Sequence, residues 1–521
     1  MNPALRPARR TEPFSESVIR EMTRIAREHD ALNLAQGFPD FPAPEGIKEA
    51  AIRAIRGDVN QYAVTWGAAG LRRALAAWIL ERYALEVDPD LEITITCGAT
   101  EAMASVFLAL FDPGDEVIVF EPFYENYAPD ALLAGATARF VTLEPPLFRL
   151  EPESLRGALT PRTRAIVLNT PNNPTGRVFD AAEMEAIAGV AREHDLVVIT
   201  DEIYECILYE GTHRPMATLP GMRPRTITVS GASKSFSVTG WRLGSIVAPP
   251  EITGAIRKVH DFLTVGAPAP LQEAWAWALT SLEPDYYEKL VDDYRARRSA
   301  LLDGLGAAGF ACSTPEGAYY ILADFSALSG LDDTAFSRSL AVEPGVVPVP
   351  GSSFFSGERG RTLVRSPSAS ASRPSRRPLA GSSTTAAPGA AETFSGTPPS
   401  CAVWEPRPTL RNSIPDPEHR TRAGPWRTRD DERSPAHPAP YDPRPRPDPR
   451  PGPRPDPGLH PRRRRGARPR PRPGRAGRAG GHTVHERRTC HGARAAGGRA
   501  PAGPCEARSG RAAPAGRSRP A

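Results

Sequence analysis

Lysine is the scarcest formally charged residue in this 521-residue chain: four occur, Lys48, Lys234, Lys258 and Lys289. Positive charge is made almost wholly with arginine. A guanidinium stays protonated in proteins, so a retained amine is a candidate for chemistry that arginine cannot perform. Cysteine is also sparse and scattered (Cys97, Cys206, Cys312, Cys401, Cys490, Cys505), with no metal-ligand spacing, so no metal is expected. No apolar run approaches the roughly 20 residues that a membrane-spanning helix needs. Nothing in the first residues reads as a secretory signal, which places the expected home of the chain in a reducing cytoplasm, away from membranes. Residues 366–521 lack most: they hold no lysine and only six Ile, Leu, Val or Met residues in all, Leu379, Val403, Leu410, Ile414, Leu459 and Val484. So little apolar surface cannot offset an ordering cost of roughly 1–2 kcal/mol per residue, and a disordered tail is expected there.

The charge balance divides at the same place. Residues 1–365 carry 34 Lys+Arg against 48 Asp+Glu, whereas residues 366–521 carry 31 Arg against 12 acids, so an acidic body of net charge −14 precedes a basic tail of +19.

The body alternates buried β-branched runs with helical patterns. "LEITIT", "DEVIVFEP", "RAIVLNTP", "DLVVITDEIY", "RTITVSG" and "GSIVAPP" read as strands, and "ATEAMASVFLALF" and "AAEMEAIAGVAREH" as helices. This predicts an α/β domain on a mainly parallel sheet. Before it, Val18, Ile19, Met22, Ile25 and Ala26 form one helical stripe, with Ser15 or Ser17 as its cap. After Pro268, a long helical stretch leads into "GAYYILADFS" and "GVVPVPGSSFF", a smaller α+β unit. The expected division is an N-terminal segment over 1–45, a large domain over 46–268, a small domain over 269–365 and the tail over 366–521.

Three loops at strand ends carry chemistry. In "SGASKSFSVTGWRLGS", Lys234 follows a buried strand in a small-residue loop, and a desolvated amine there can attack a carbonyl. Asp201 and Tyr204 in "TDEIYE" sit at the carboxyl edge of the sheet, where open α/β folds bind ligands. Asn173 lies in "NTPNNPTG" after another strand. Singly, each reads as a surface lysine, a helix cap or a plain turn; together they mark a site.

"NNPTG", "DEIY" and "SKSFSVTGWRLG", in this order, resemble the class I aminotransferases of pyridoxal-phosphate fold type I. "NLAQGFPDF" and "NQYAVTWGAAGLRRAL" resemble the branch with kynurenine, glutamine and methionine aminotransferases and cysteine-conjugate β-lyases. The resemblance covers residues 12–365. It implies a ping-pong transfer of an amino group from an L-amino acid to a 2-oxo acid, with a C–S β-lyase as the alternative on the same site. By the same resemblance Lys234 holds pyridoxal 5'-phosphate and shuttles a proton, and Asp201 pairs with its pyridine nitrogen. Tyr204 and Asn173 serve its phenolic oxygen, and Tyr124 stacks on the ring. Arg242, Ser233 and the turn Gly98, Ala99, Thr100 hold the phosphate. Tyr62 reaches the neighbouring subunit's phosphate, which implies a homodimer. Gly37, Asn173 and Arg365 bind the substrate's carboxylate. Two departures stand out: Gly231 occupies a position where the family often has a serine phosphate ligand, and Ile19 one where kynurenine-preferring relatives often have an aromatic residue.

The resemblance breaks at "TLVRSPSASASRPSRR". Ser-Pro directly after Arg365 is expected to stop a central strand, leaving Arg365 at a frayed end and the small domain without its last strand and helix. Weak activity follows, with cofactor binding more robust than turnover. The tail reads either as a basic segment binding nucleic acid or an acidic surface, or as the product of a frameshift in GC-rich coding DNA. The frameshift is preferred, because the break falls inside an expected element rather than after one. A regulator with a winged-helix domain is disfavoured by the few residues before Phe14.

Overall fold

The computed structural model describes residues 7–14 and 16–370. The expectations of disorder, of a nucleic-acid role and of a frameshifted origin for the tail therefore fall, from residue 371 on, outside the described residues, as does Ser15 as a cap.

The chain opens with helix α1 (Val18–Glu28), a two-residue strand β1 (Leu32–Asn33) and helices α2 (Glu45–Arg56) and α3 (Ala69–Tyr83). Strand β2 (Ile93–Thr96) leads into α4 (Ala99–Leu110), and β3 (Glu116–Glu121) is followed by α5 (Tyr127–Ala134). Next come β4 (Thr137–Thr142), α6 (Pro152–Gly157), β5 (Thr163–Asn169), α7 (Ala181–Glu193) and β6 (Val197–Asp201). Strand β7 (Thr226–Gly231) runs into the one-turn α8 (Ala232–Ser235), then β8 (Gly244–Val247) and helices α9 (Pro250–Thr264), α10 (Ala269–Ser281) and α11 (Tyr286–Ala307). The remainder is β9 (Ala311–Cys312), β10 (Tyr320–Asp324), α12 (Asp333–Val342), β11 (Val346–Val347), β12 (Val349–Pro350) and β13 (Leu363–Pro367).

Seven strands form the central sheet in the order β2-β8-β7-β6-β5-β3-β4. All neighbours pair in parallel except β8, which is antiparallel to both β7 and β2. β2 therefore points the same way as the parallel set. The inner strands β3, β5 and β6 read as unbroken apolar runs because helices cover both faces. On one face lie α4, α5 and α9, packing Met103, Phe107 and Ile256 onto Val119, Val167 and Ile199. On the other, α1 and α7 bring Met22, Ile25, Met184 and Ile187 against Ile118, Ile166 and Val198. Helix α7 starts with a reciprocal cap: Asp180 accepts from Ala182 and Glu183 N–H at 3.0 Å, and Glu183 accepts from Asp180 N–H at 2.9 Å.

The smaller sheet runs β12-β13-β10-β9, and β1 pairs in parallel with β11. Three expectations need correction. The strand does not stop at Arg365: β13 continues through Pro367, with Ser366 opposite Ile321 and Pro367 opposite Tyr320. Ser368 N–H donates to Tyr319 O at 2.8 Å, which makes Tyr320–Pro367 the non-hydrogen-bonded pair, so the proline's missing N–H faces away from β10. On that flank, among the described residues, β12 pairs only with Val364 and Arg365, so the proline breaks no ladder bond there. Arg365 is 1 % exposed rather than frayed. Second, the stretch after Pro268 is two helices, and α10 packs Ala274, Trp275 and Ala278 with Ile47, Leu71 and Ile93 of α2, α3 and β2 rather than with the small sheet. Third, Ser17 precedes α1 but makes no side-chain cap; its hydroxyl donates to Glu125 at 2.6 Å.

Candidate active site

Strands β2, β3, β5, β6 and β7 all deliver their carboxyl ends to one edge of the central sheet, the edge where open α/β sheets bind ligands. β2 leads through Gly98 into α4; β3 is followed by Tyr124 and Tyr127; β5 by Asn173; β6 ends in Asp201 before Tyr204; β7 leads to Ser233 and Lys234. The small sheet adds Tyr320 from β10 and Arg365 from β13, and the N-terminal segment adds Gly37. Together they line a cavity of about 830 Å³. Of the residues expected from sequence, it gathers Gly37, Ala99, Thr100, Tyr124, Asn173, Asp201, Tyr204, Ser233, Lys234, Arg242 and Arg365. Gly98 and Tyr62 are not among them: Gly98 is buried behind Ala99 against Arg242, and Tyr62 stands on the surface, 87 % exposed.

Lys234 Nζ donates to Gly37 O at 3.2 Å and sits 5.8 Å from the ring centroids of Tyr204 and Tyr319. Burial lowers its pKa; Tyr320 opposes that shift, and the positive charges of Arg365 and Arg242 add to it. The amine is thereby biased toward its neutral, nucleophilic form. Asp201 is buried, which raises its pKa, while Tyr127 Oη donating to Oδ2 at 2.7 Å and Ile203 N–H donating to Oδ1 at 3.3 Å favour the carboxylate. A cationic N–H donor is the partner such a carboxylate lacks. Tyr204 and Tyr320 hydroxyls lie 3.0 Å apart, and burial raises the pKa of Tyr124 and Tyr204.

Arg365 Nη1 donates to Asn173 Oδ1 at 3.1 Å and Nη2 donates to Ala35 O, while Nε has no partner among the described residues. Its guanidinium lies 4.5 Å from the Tyr320 ring centroid. A buried guanidinium with a spare donor, facing a cavity, is suited to a carboxylate. Gly37 lies against the same tyrosine, and a Cβ on it would overlap the Tyr320 hydroxyl.

The opposite end of the cavity is an anion cradle. Gly98 has φ +85°, and a Cβ there would lie 2.5 Å from Arg242 Nη2. Gly244 of β8 lets the start of α4 approach, since a Cβ on it would lie 2.6 Å from Ala99 N. Among the described residues no side chain caps α4, so its first N–H groups and its positive dipole end point at the space beside Arg242. Gly231 differs from the family's frequent serine for a steric reason: a Cβ there would meet Leu243 O at 2.6 Å. Ser230 does not substitute for it, because its hydroxyl is bound to Glu205. Ser233, next to Lys234, does line the cavity.

A buried carboxylate wanting a cationic donor, a desolvated lysine and an anion cradle shaped by two glycines fit pyridoxal phosphate. Sequence reading missed Tyr127 and Ala35, and read Tyr320 only as strand. The spacing of Tyr124 and Tyr127 in "YENY" was the available signal for the first. It also missed a buried cluster behind the site, in which His213 Nε2 lies 2.6 Å from Glu202 and Tyr83 donates to Glu205 at 2.6 Å.

The fold and this site define an aminotransferase. Residues 29–370 match the family "Aminotransferase class I and II", and the chain belongs to it. It is a pyridoxal-phosphate-dependent enzyme that transfers an amino group between amino and 2-oxo acids, and the C–S lyase alternative is not favoured. The N-succinyldiaminopimelate aminotransferase of Mycobacterium tuberculosis is 42 % identical over 348 residues, 66 % of this chain and 87 % of that protein. Its solved structure superposes with a TM-score of 0.68 at 41 % identity, covering 70 % of this chain and 96 % of that one. The methionine aminotransferase of Escherichia coli is 37 % identical over 365 residues (70 % and 94 %). The human kynurenine–oxoglutarate transaminase 1 is 36 % identical over 380 residues (67 % and 90 %).

Proposed function

We propose that Lys234 is the residue that carries the cofactor and moves the proton at the substrate's α-carbon. Pyridoxal phosphate, when bound, supplies a carbonyl for the amino group and a ring that withdraws electrons from that carbon. Asp201, oriented by hydrogen bonds from Tyr127 and Ile203, is placed to pair with the ring nitrogen and keep it protonated. Asn173 and Tyr204 donate hydrogen bonds to the ring's oxygen, and Tyr124 covers a ring face. Gly98, Ala99, Thr100, Ser233 and Arg242 hold the phosphate. Arg365 binds the substrate's α-carboxylate beside Gly37 and Asn173, fixing which face of the α-carbon Lys234 meets. The lysine is poised for proton transfer because burial biases it against its charged form.

The observation that carries this reading is the convergence of Lys234, Asp201 and Arg365 on one cavity from three separate elements. The test is a half-reaction: holoenzyme plus an L-amino acid, without oxo acid, is expected to release one equivalent of 2-oxo acid and to keep the amino group. Catalytic ammonia release instead would contradict the reading.

The homodimer is part of the proposal. Tyr62, Val64, Phe262, Leu263 and Val265 are exposed apolar side chains. They fall on one surface because His260 Nε2 lies 3.0 Å from Thr65 O and Thr65 donates to Asp261 at 3.3 Å. Such a patch suits a second subunit, with Tyr62 turned to the partner's phosphate. Among the described residues no helix is long and apolar enough to cross a membrane. A cytoplasmic location fits the free Cys97, Cys206 and Cys312.

Residues 46–281 constitute the large domain in this reading, with α10 added to the span expected from sequence. The tail is read as a frameshift product: the family match ends at residue 370 and the charge changes sign after Arg365. The coding DNA read in the other two frames after codon 365 is expected to show an amphipathic helix and a stop; two further frames without them would remove this reading.

A further inference from the structure

The charge lining the cavity is opposite to that of the body. Residues 1–365 are acidic, yet among the described residues the cavity lining has six cationic side chains (Arg20, Arg24, Arg27, Lys234, Arg242, Arg365) against two acidic ones, Glu125 and Asp201. Three of the six already have work in the proposed function, on which this inference rests: Lys234 and Arg242 for the cofactor, Arg365 for the α-carboxylate. Arg20, Arg24 and Arg27 do not. They come from α1, spaced i, i+4 and i+7, so they share one helical face over roughly 10 Å of axis.

That face is fixed toward the cavity by the rest of the helix. Met22, Ile25 and Ala26 are buried in the core, Glu21 pairs with Arg338 of α12, and Ser17 ties the helix start to Glu125. The face carrying Arg20, Thr23, Arg24 and Arg27 is left lining the opening. Arg24 pairs with Glu28 at 2.9 Å; Arg20 and Arg27 have no acidic partner among the described residues. The arginines are exposed, whereas Arg365 is buried, so one set marks the mouth and the other the floor. Glu125, the acidic residue nearby, is engaged by Ser17.

We infer that Arg20, Arg24 and Arg27 form a specificity site for a second carboxylate, borne at the far end of an amino-acid or 2-oxo-acid substrate whose α-carboxylate sits on Arg365. Guanidinium groups at the mouth of a cleft, here with Arg20 and Arg27 free of any acidic partner among the described residues, concentrate anions there and hold a carboxylate by charge-assisted hydrogen bonds. A mouth-to-floor separation favours a long chain between the two carboxylates. A short dicarboxylate held on Arg365 leaves its second carboxylate below the row, and a neutral long substrate leaves the row empty. Ile19, the apolar neighbour of Arg20 in the same lining, suits the connecting methylenes.

The test compares chain lengths with the full-length holoenzyme. kcat/KM is measured for L-aspartate, L-glutamate, L-2-aminoadipate and L-2-aminopimelate, each against a neutral donor of matching length. The ratio of acid to neutral is expected to rise along the series and to fall about tenfold in Arg20→Gln/Arg27→Gln, with partial recovery in Arg20→Lys/Arg27→Lys. The dissociation constant of pimelate, measured by calorimetry without turnover, is expected to weaken in parallel and to weaken further with added salt. A ratio that is flat along the series, or unchanged in the glutamine variant, overturns the inference while leaving amino-group transfer intact. Absence of transfer with every donor would instead overturn the proposed function.

Discussion

The two ends of the cavity are built differently. The cofactor end hangs on one continuous sheet: Asp201 ends β6, and Gly98, Tyr124, Asn173 and Lys234 follow β2, β3, β5 and β7, of which all but the edge strand β2 are paired on both sides. The carboxylate end is assembled from three distant segments, Ala35 and Gly37 before the large domain, Tyr320 on β10 and Arg365 on β13, joined mainly by side-chain contacts. A preorganised sheet edge suits a group that stays bound through every turnover. A composite wall suits a substrate that must enter, leave and differ between relatives.

The variants that break this contrast most strongly come first. Lys234→Ala is expected to lower kcat by more than about 10³-fold and to change the cofactor's absorbance, while leaving the protein folded. Arg365→Lys acts on the other end alone. Loss of the two-armed contact is expected to raise the donor KM by roughly 10–100-fold, from about 1.5–3 kcal/mol per charged hydrogen bond. Gly98→Ala forces a side chain into φ +85° against Arg242, and should weaken cofactor retention about tenfold or more, read by dialysis, with donor KM much less affected.

Asp130→Asn sharpens the contrast by pH. Asp130 is buried in α5, which carries Tyr127, and desolvation pushes its carboxyl up to about 7 from the ordinary 3.8. A folded pKa above the unfolded value gives stability that is present below about pH 4 and lost as pH rises to about 7. The native chain should therefore lose roughly a few kcal/mol relative to the asparagine variant across that window, read by denaturant unfolding. Tyr62→Phe is expected to have the smallest effect, a few-fold weaker cofactor affinity that appears only at protein concentrations where the chain is dimeric.

The cofactor end was legible in the sequence because its residues follow strands recognisable as buried β-branched runs, and because Lys234 is rare in an arginine-rich chain. Tyr127 and Ala35 were not legible: one acts by reaching Asp201, 74 positions away, and the other through a backbone carbonyl that no residue type signals. Pro367 misled for a different reason. Its effect on a strand depends on which flank its missing N–H faces, and that is set by the register with β10 rather than by the residue. The arginine row on α1 was hidden among many arginines until the helix showed which face lines the cavity.

The division between the two ends is tested most directly by one pair of binding constants on Arg365→Lys, measured beside the native chain by spectral titration. The dissociation constant for pyridoxal phosphate is expected to stay within about twofold, while that for a substrate-like carboxylate weakens by roughly tenfold or more. Equal weakening of both would contradict an independent cofactor end and make the cavity a single cooperative unit.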